Sequence, residues 1–482
     1  MRQQNSSPSD TKIIEQDGKK YIATQLAKGK QNGVDNSCVN ADLKKVTVNV
    51  FFDGTLNNIY NANPNASGAK ESSYENDYSN IGRMFKSVEK EPNNIYIEGA
   101  GTARGKTDDQ NGFALGTGET GIKKHTQQAI DAVKNYLNNK QTEGTRVVIN
   151  VFGFSRGAAT ARHFVGTVHN SPFIFQGSSG QYPFSIGFVG LFDTVSSFAN
   201  NKTEVIQQTV NRTGLDKEAP FADDSAYGQL LLKFDYQSAA RVFHLVAGDE
   251  FRINFSLTNI QSAIDNGVGY EVQIPGAHSD IGGGYLSKVK EYRDIYTTNM
   301  QFDLANHLTW WGWYKSKKFN DDADETWFRQ ETSERSKQVM HCHMWRGDLR
   351  YHYYRVALRV MLEMVKRYTS IKFPNSDLLN TNIPNNTDPW NSLRQLSNDI
   401  SKHVLQHAPQ LCDKVGKRAP NFVMPYNTPS DTAYSRRIYR NFIHFSSNDA
   451  IAEGFTAEFM DIRPHQIRIG SDGRPYRRKF EG

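Results

Sequence analysis

Residues 147–162, VVINVFGFSRGAATAR, join an apolar run to a helix-forming run through a G-x-S-x-G turn. The β-branched and aromatic residues predict a buried strand, and the alanines after the turn predict the start of a helix. In this context G-x-S-x-G is typical of a nucleophile elbow, which lifts the hydroxyl of Ser155 above the sheet edge. Gly153 and Gly157 allow strand and helix to approach closely. The alternative is a glycine-rich loop in which the serine is incidental.

Further apolar runs predict a sheet on both sides of this turn. The predicted strands cover residues 45–52, 94–98, 147–152, 186–192, 239–246 and 270–274. Apolar residues at helical spacing predict helices over 80–85 and 121–138, between successive strands. Strands that alternate with helices are typical of a doubly wound, mostly parallel sheet, so we predict an α/β fold.

The length of 482 residues allows more than one folding unit. We expect a flexible, polar N-terminal arm over 1–43 and an α/β catalytic core over 44–290. A helical or mixed module over 291–482, partly packed on the core, is expected to follow. Within that module we predict a helix over 349–368 and short strands in the last 60 residues, including residues 442–446.

Composition narrows the classes of function. Hydrophobic residues make up 37% and aromatic residues 12% of the chain, which indicates a folded protein. The formal net charge of +6 is compatible with approach to anionic lipid but is too small to indicate nucleic-acid binding. Three cysteines cannot form a disulfide framework, and His341-Cys342-His343 has no second ligand cluster at metal-binding spacing. We therefore predict no metal and no cofactor.

The sequence indicates neither a Sec signal peptide nor a membrane-spanning helix. Residues 1–12 contain no apolar core typical of a Sec signal peptide. No run approaches the ~18 consecutive apolar residues of a membrane-spanning helix. We expect a protein that is made in the cytoplasm and, if exported, leaves by a route other than Sec.

A reactive serine needs a histidine that takes its proton and a carboxylate that orients the histidine. After a nucleophile elbow, these groups are expected at the ends of later strands, with the acid before the histidine. Asp193 and Asp249 both follow predicted strands. We prefer Asp193, which follows the next apolar strand after the elbow. Asp249 is the runner-up acid, and its alternative interpretation is a structural pairing with Arg252.

His278 is the preferred histidine because it follows a predicted strand and precedes three consecutive glycines that leave room for a substrate. Asp280 is interpreted as a cap of the turn after it. His163, His244 and His444 are weaker candidates.

An oxyanion hole needs two N–H donors near the nucleophile. The N–H of Arg156, at the start of the helix after the elbow, is the first candidate. The second is expected from the loop after the first strand, where we nominate Thr55 and, less strongly, Gly54. The alternative is that Asp53-Gly54 forms only a turn.

An aromatic and basic cluster, WWGWYKSKK, covers residues 310–318. Trp310, Trp311 and Trp313 beside lysines are typical of a surface that contacts a bilayer interface. The alternative is that these tryptophans fill a helical core.

Six blocks of sequence carry a family resemblance. They are FFDGTLNN at 51–58, YIEGAGT at 96–102, GFSRGAA at 153–159, GLFDTVSS at 190–197, HLVAGDE at 244–250 and PGAHSDIGGGY at 275–285. In this order, over about half of the chain, they resemble the phospholipase effectors of the bacterial type VI secretion system, in their first group.

The resemblance implies an α/β-hydrolase fold with an added membrane-facing module and phospholipase A activity against the membrane of a rival bacterium. Carried over by position, the nucleophile is Ser155, the acid is Asp193 and the base is His278. The resemblance also implies a phospholipid membrane substrate, a secretion spike partner and a cognate immunity protein. Delivery by the type VI system to the periplasm or membrane of a target cell would fit the missing Sec signal.

Two other functions remain open at this point. The same triad could hydrolyse a soluble ester or thioester. Alternatively, the chain could be a non-catalytic adaptor of the secretion machine that keeps a relict site.

Overall fold

The structure is a computed structural model of the chain. The residues that it describes are 11–16, 19–24, 33–34, 44–63, 73–74, 76–109, 112, 116–139, 145–171, 184–198, 229–235, 237–252, 255–286, 289–297, 308, 310–314, 327–332, 340–384, 387–408, 422–423, 432–446, 477 and 479–480.

Strands and helices are numbered in chain order. The strands are β1 Thr11–Gln16, β2 Lys19–Thr24, β3 Gly33–Val34, β4 Lys44–Phe52, β5 Asn94–Ile97, β6 Thr145–Phe154, β7 Phe184–Phe192, β8 Arg241–Ala247, β9 Leu257–Thr258, β10 Gly269–Ile274, β11 Val289–Thr297, β12 Trp327–Thr332, β13 Met340–Leu349, β14 Phe422–Val423 and β15 Lys479–Phe480. The helices are α1 Asn80–Ser87, α2 Ile122–Asn138, α3 Arg156–Asn170, α4 Gln261–Asp265, α5 His278–Gly282, α6 Tyr354–Tyr368, α7 Trp390–His407 and α8 Thr432–Phe442.

A seven-stranded sheet forms the centre of the molecule, in the order β14-β10-β8-β7-β6-β4-β5. Every neighbouring pair in it is parallel. The strand before the elbow, β6, lies in the interior of the sheet, between β4 and β7. The predicted α/β fold with a doubly wound, mostly parallel sheet is confirmed. Because all carboxyl ends of a parallel sheet lie at one edge, the residues after β6, β7, β8 and β10 meet there.

Helices cover both faces of this sheet, which explains why its strands are nearly continuous apolar runs. On one face, α2 and α3 pack against side chains such as Val50 and Val151. On the other face, α1, α6 and α7 pack against side chains such as Phe51 and Phe152. Successive residues of a strand point to opposite faces, so Val151 and Phe152 belong to different layers of the core.

The predicted strands of the core agree with the observed ones, but the C-terminal part differs from prediction. The helix predicted over 349–368 begins at Tyr354, because Leu349 ends β13. Short strands were predicted at residues 442–446, and this was wrong, since Phe442 ends helix α8 and 443–446 are irregular. The buried Ile438, Tyr439 and Phe442 follow helical spacing, which agrees with the observed helix.

The predicted division of the chain stays a prediction. In the range expected to be a flexible arm, the structure places a small antiparallel sheet of β1, β2 and β3. On the C-terminal side of the expected boundary at 290, α6 and α7 share one hydrophobic cluster with the central sheet. A second antiparallel sheet, in the order β11-β13-β12, follows the core.

Among the helices that the structure describes, none combines the length and the apolar character needed to cross a membrane.

Candidate active site

Ser155 lies on a strained turn between β6 and α3. Its backbone has φ 57° and ψ −129°, a conformation that residues other than glycine seldom adopt. The N–H of Ser155 donates to the carbonyl of Phe192 over 3.1 Å, and its carbonyl accepts from Ala158 and Ala159. These bonds hold the elbow against the end of β7 and cap the start of α3. Since α3 begins directly after it, the side chain of Ser155 lies at the electropositive end of a helix.

Asp193 and His278 are joined by a hydrogen bond at the carboxyl edge of the sheet. Nδ1 of His278 lies 2.5 Å from Oδ2 of Asp193, although 85 residues separate them in the sequence. Asp193 follows β7, and His278 is the first residue of α5, directly after β10. The imidazole packs between two phenylalanine rings, with centroid distances of 4.6 Å to Phe154 and 5.0 Å to Phe255. Because Phe154 is the residue before Ser155, the histidine ring lies beside the elbow.

Burial and charge set opposite ionisation states for these two groups. Burial acts to raise the pKa of Asp193, but the charge of Arg477 and the bond to His278 outweigh it and hold that pKa well below its usual range. Burial lowers the pKa of His278, and the bond to Asp193 only partly offsets this. The pair is therefore an ionised carboxylate and a neutral imidazole near pH 7, the state a general base requires.

Glu250 fixes the start of the helix that carries His278. Its Oε2 accepts from the backbone N–H of His278 over 3.2 Å and from the hydroxyl of Ser446 over 2.9 Å. Arg252 binds both carboxylate oxygens of Glu250, each over 2.9 Å. Glu250 ends the sequence block HLVAGDE, but the block does not indicate this role, since the role depends on segments that meet only in the folded chain.

Asp249, the runner-up acid, has other partners. Its carboxylate accepts from the N–H of Gly276 over 2.7 Å and from the hydroxyl of Tyr439 over 3.2 Å. The suggested pairing of Asp249 with Arg252 is wrong, because Arg252 binds Glu250 instead. Burial raises the pKa of Asp249 to about 7. The structure thus brings Asp193, and not Asp249, to the imidazole.

Asp280 forms a second buried histidine–aspartate pair beside the first. Its carboxylate accepts from the N–H of Ala277 over 2.9 Å, as expected for a cap of α5. It also binds both the backbone N–H and Nδ1 of His444, the latter over 2.6 Å. His444 therefore lies near the site but is bound to Asp280, and its ring stacks on Tyr285 with a centroid distance of 3.7 Å.

The candidate oxyanion loop follows β4 and packs against the elbow. A Cβ on Gly157 would lie 2.1 Å from the carbonyl oxygen of Asp53, which shows how closely α3 approaches this loop. Nε of Arg156 donates to the hydroxyl of Thr55 over 2.8 Å and ties the two candidate donors together. The N–H of Gly54 donates to Oδ1 of Asp53 over 2.8 Å, which removes Gly54 as a donor to substrate.

The buried carboxylate of Asp53 holds this loop in place through hydrogen bonds. Besides Gly54, its carboxylate accepts from the hydroxyls of Ser79 and Tyr96, the latter over 2.6 Å. Burial raises the pKa of Asp53 to about 6, against these hydrogen bonds. Asp53-Gly54 is therefore a buried anchor that fixes the conformation around Thr55.

Arg477 is a site residue that the sequence did not indicate. Its guanidinium binds both carboxylate oxygens of Asp193, Nη1 over 2.6 Å and Nη2 over 3.0 Å. In the sequence Arg477 lies among other basic residues at 474–479, and no local pattern distinguishes it from them.

The tryptophan cluster does not form one surface. Trp310 is 47% exposed and Trp311 is half-buried, whereas Trp313 is fully buried. The ring of Trp313 packs on Tyr439 and Phe445. A membrane contact by Trp313 is therefore excluded, since its side chain fills the core, and the core interpretation applies to it.

Within the described parts of the chain, no group of three or more His, Cys, Asp or Glu side chains could hold a metal ion. His341-Cys342-His343 lies in β13, and these side chains lie outside the described set.

Comparison with known proteins places this arrangement in a family. The family model described as the catalytic domain of Tle1-like phospholipase effectors of the type VI secretion system matches residues 46–184 and 171–303. No curated protein sequence gives a significant match.

Two solved structures are similar. The structure of the Tle1 effector bound to the VgrG spike of the type VI secretion system aligns with a TM-score of 0.52 and 20% identity, covering 89% of this chain and 91% of that one. An uncharacterized protein from Pseudomonas aeruginosa aligns with a TM-score of only 0.35 and 16% identity, covering 77% of this chain and 52% of that one. The first likeness supports the fold.

The matched residues span more than half of the chain and contain the elbow, the Asp193–His278 pair and the loop around Thr55. This chain belongs to the Tle1-like phospholipase effectors of the type VI secretion system.

Proposed function

We propose that this chain is a phospholipase A that hydrolyses fatty-acyl esters of membrane glycerophospholipids through an acyl-enzyme intermediate. Ser155 is the nucleophile, His278 the general base and Asp193 the acid that orients it. The observation that carries the proposal is the hydrogen bond between His278 and Asp193, formed beside the strained turn of Ser155. Membership of a phospholipase family supports the choice of a lipid ester as substrate.

The positions of these groups support the following reaction. Nε2 of His278 takes the proton of the Ser155 hydroxyl while Oγ of Ser155 attacks the acyl carbonyl. Asp193 stabilises the imidazolium that forms. The N–H groups of Arg156 and Thr55 stabilise the negative oxygen of the tetrahedral intermediate. His278 returns the proton to the departing glycerol oxygen, which releases a lysophospholipid, and water then releases the fatty acid by the same steps.

Ser155→Ala tests this mechanism. We expect fatty-acid release from phospholipid vesicles, measured by mass spectrometry, to fall by several orders of magnitude, roughly 10⁴-fold or more. Labelling of the wild type by a fluorophosphonate should disappear in the variant. Ser171→Ala, at the other end of α3, is the matched control and should keep both activities.

The same assay separates the alternatives. Fatty-acid release that persists in Ser155→Ala rules out Ser155 as the nucleophile. Hydrolysis of soluble esters without hydrolysis of vesicles would favour an esterase or thioesterase. Wild-type protein that neither reacts with the fluorophosphonate nor releases fatty acid would favour an adaptor with a relict site. Lipids labelled at one acyl position would assign the sn-1 or sn-2 ester.

We further propose that the chain is delivered on the secretion spike and acts on the membrane from the periplasm of a target cell, with an immunity protein in the producer. The Tle1 effector that shares its fold has been solved bound to a VgrG spike. Coelution of this chain with the VgrG protein of its own secretion system tests the first part. For the second, wild type directed to the periplasm should be toxic and Ser155→Ala harmless, and toxicity only in the cytoplasm would contradict it.

A further inference from the structure

The carboxylate of Asp193 has a charged partner besides His278. Arg477 approaches from a segment 284 residues away in sequence and binds both oxygens, with distances of 2.6 and 3.0 Å. The side chain of Arg477 is only 4% exposed, and that of Asp193 is fully buried. A two-pronged pair of this kind fixes the rotation of a carboxylate as well as its position.

Other contacts fix the guanidinium in turn. Nε of Arg477 donates to the carbonyl of Phe255 over 2.7 Å, and Nη1 also reaches the carbonyl of Ala247 at 3.3 Å. Two residues further on, β15 pairs in parallel with β9. The carbonyl of Phe480 accepts from the N–H of Asn259 over 3.0 Å. Arg477 is thus attached to the core by bonds from its own side chain to two backbone carbonyls and, on its C-terminal side, by the pairing of β15 with β9.

We propose that Arg477 is a positioning residue of the hydrolytic site: it holds the Asp193 carboxylate against Nδ1 of His278, so that the segment around β15 completes the active site. This inference rests on the proposed function. Arg477 does not touch the reacting atoms in this scheme and acts only through Asp193.

The charge of Arg477 also affects the pKa of His278, the general base. The charged groups that face the Asp193–His278 pair are Arg477, Glu250 and Arg252, from the segment before β15 and the loop after β8. Arg477 neutralises part of the charge of Asp193, which weakens the attraction of that carboxylate for a proton on His278. Its removal therefore raises the pKa of His278, and the base becomes protonated at higher pH.

Arg477→Met tests the inference, with Arg477→Lys as the conservative variant and Lys479→Gln as the control. Lys479 lies in the same segment and is exposed, and its Nζ donates to the side chain of Gln273 over 3.0 Å. The measurements are kcat and KM on phospholipid vesicles from acidic to alkaline pH, and the rate of fluorophosphonate labelling over the same range.

We expect Arg477→Met to lower kcat by roughly 10²-fold, because His278 is misplaced. KM should change little, because the surface of the protein that binds lipid is unaltered. The acid limb of its activity and labelling profiles should move to higher pH by about one unit. Arg477→Lys keeps the positive charge, so the acid limb of its profile should stay near that of the wild type. It loses the guanidinium that binds both oxygens of Asp193, so its kcat should recover only in part. Lys479→Gln should match the wild type.

Wild-type kcat together with an unshifted acid limb in Arg477→Met would overturn the inference. If that variant does not fold, Arg477→Lys decides: wild-type kcat there shows that the two-pronged contact has no positioning role. The labelling of wild-type Ser155 keeps the two proposals separate. If the wild type is labelled and the Arg477 variants behave like it, only the role of Arg477 is contradicted. If the wild type is not labelled, the triad itself is contradicted.

Discussion

Asp193 and Asp249 follow neighbouring strands at one sheet edge, but their carboxyl groups meet different partners. Asp193 binds a guanidinium and an imidazole, which favour its charged form. Asp249 accepts from a backbone N–H and a tyrosine hydroxyl, both neutral donors, and burial raises its pKa to about 7. A carboxylate that must stabilise an imidazolium has to be charged at the working pH. The surroundings of Asp193 meet this requirement.

Substitution by asparagine should separate the two acids. Asp193→Asn presents an amide to His278, which favours the wrong tautomer, and we expect kcat to fall by roughly 10⁴-fold. Asp249→Asn keeps an oxygen that accepts from Gly276 and should keep most of the activity. Initial rates on phospholipid vesicles check this. Equal losses in the two variants would contradict the assignment of the acid.

Asp249 should also make stability depend on pH. Because its pKa is raised in the folded state, the folded chain binds this proton more tightly than the unfolded chain does. The stabilisation is complete below pH 3.8 and is lost as the pH rises toward about 7. Relative to the wild type, the free energy of unfolding of Asp249→Asn should therefore rise with pH across this window, by about 1.4 kcal/mol per unit.

Urea unfolding of both proteins at several pH values between about 5 and 7 measures this difference. Asp131→Asn, at an exposed carboxyl on α2, controls for the loss of one negative charge. Parallel curves for wild type and Asp249→Asn would show that Asp249 is already ionised at the lower pH.

At the scale of elements, the elbow depends on how closely α3 approaches β4 and β6. A Cβ on Gly153 would lie 2.6 Å from Cα of Ala158. On the other side of the turn, a Cβ on Gly157 would lie 2.1 Å from the carbonyl oxygen of Asp53 and 2.5 Å from that of Phe52. These are backbone atoms, which cannot move aside as a flexible side chain can. The strand, the turn and the helix therefore form one rigid support for Ser155.

Gly157→Ala should disturb catalysis more than its loss of stability explains. The new methyl group pushes α3 away from the loop after β4 and separates Ser155 from the Thr55 N–H, so kcat should fall by roughly 10²-fold. The comparison is Gly166→Ala, further along α3, where a Cβ would meet Leu231 at 2.5 Å. Gly166→Ala should lower the thermal midpoint but leave kcat of the folded enzyme near that of the wild type. Similar kcat in both variants would argue against the rigid support.

At the scale of the whole molecule, a buried ion pair joins the segments after the core to one another. Glu291 in β11 accepts from Nε of Arg346 in β13 over 2.8 Å and from the hydroxyl of Tyr314 over 3.0 Å. Its second oxygen accepts from the N–H of Phe445 over 2.9 Å. Phe445 follows α8 and precedes Ser446, which binds Glu250 beside the active site. This chain of contacts connects the antiparallel sheet of β11, β13 and β12 to the edge of the central sheet that carries His278.

Glu291→Gln should therefore destabilise the protein strongly. It leaves the guanidinium of Arg346 buried without its countercharge, and removal of one partner from a buried pair costs about 3–5 kcal/mol. Urea unfolding measures the loss. Glu119→Gln breaks the exposed pair with Lys124 and should change the free energy of unfolding by less than about 0.5 kcal/mol. A loss of that small size in Glu291→Gln would show that the pair contributes little.

The sequence by itself determined the α/β order, the elbow and the strand ends that carry Asp193 and His278. Each of these depends on signals within a short stretch: the apolar runs of β4, β6, β7 and β8, and the glycines around Ser155. A parallel sheet gathers the carboxyl ends of its strands at one edge, so local patterns were enough to predict that Ser155, Asp193 and His278 lie at that edge. Helix α8 was not predicted, because polar residues surround its buried Ile438, Tyr439 and Phe442.

Only the tertiary structure decided which buried charges pair with one another. Arg477 binds Asp193, Glu250 binds Arg252 and Asp249 binds neutral donors, and no spacing in the sequence distinguishes these pairings. The burial of Trp313 behind Tyr439 was likewise hidden. A buried charge is stable only beside groups that compensate it, and those groups come from segments that meet when the chain folds. Their identity is a property of the folded packing and cannot be read from local pattern.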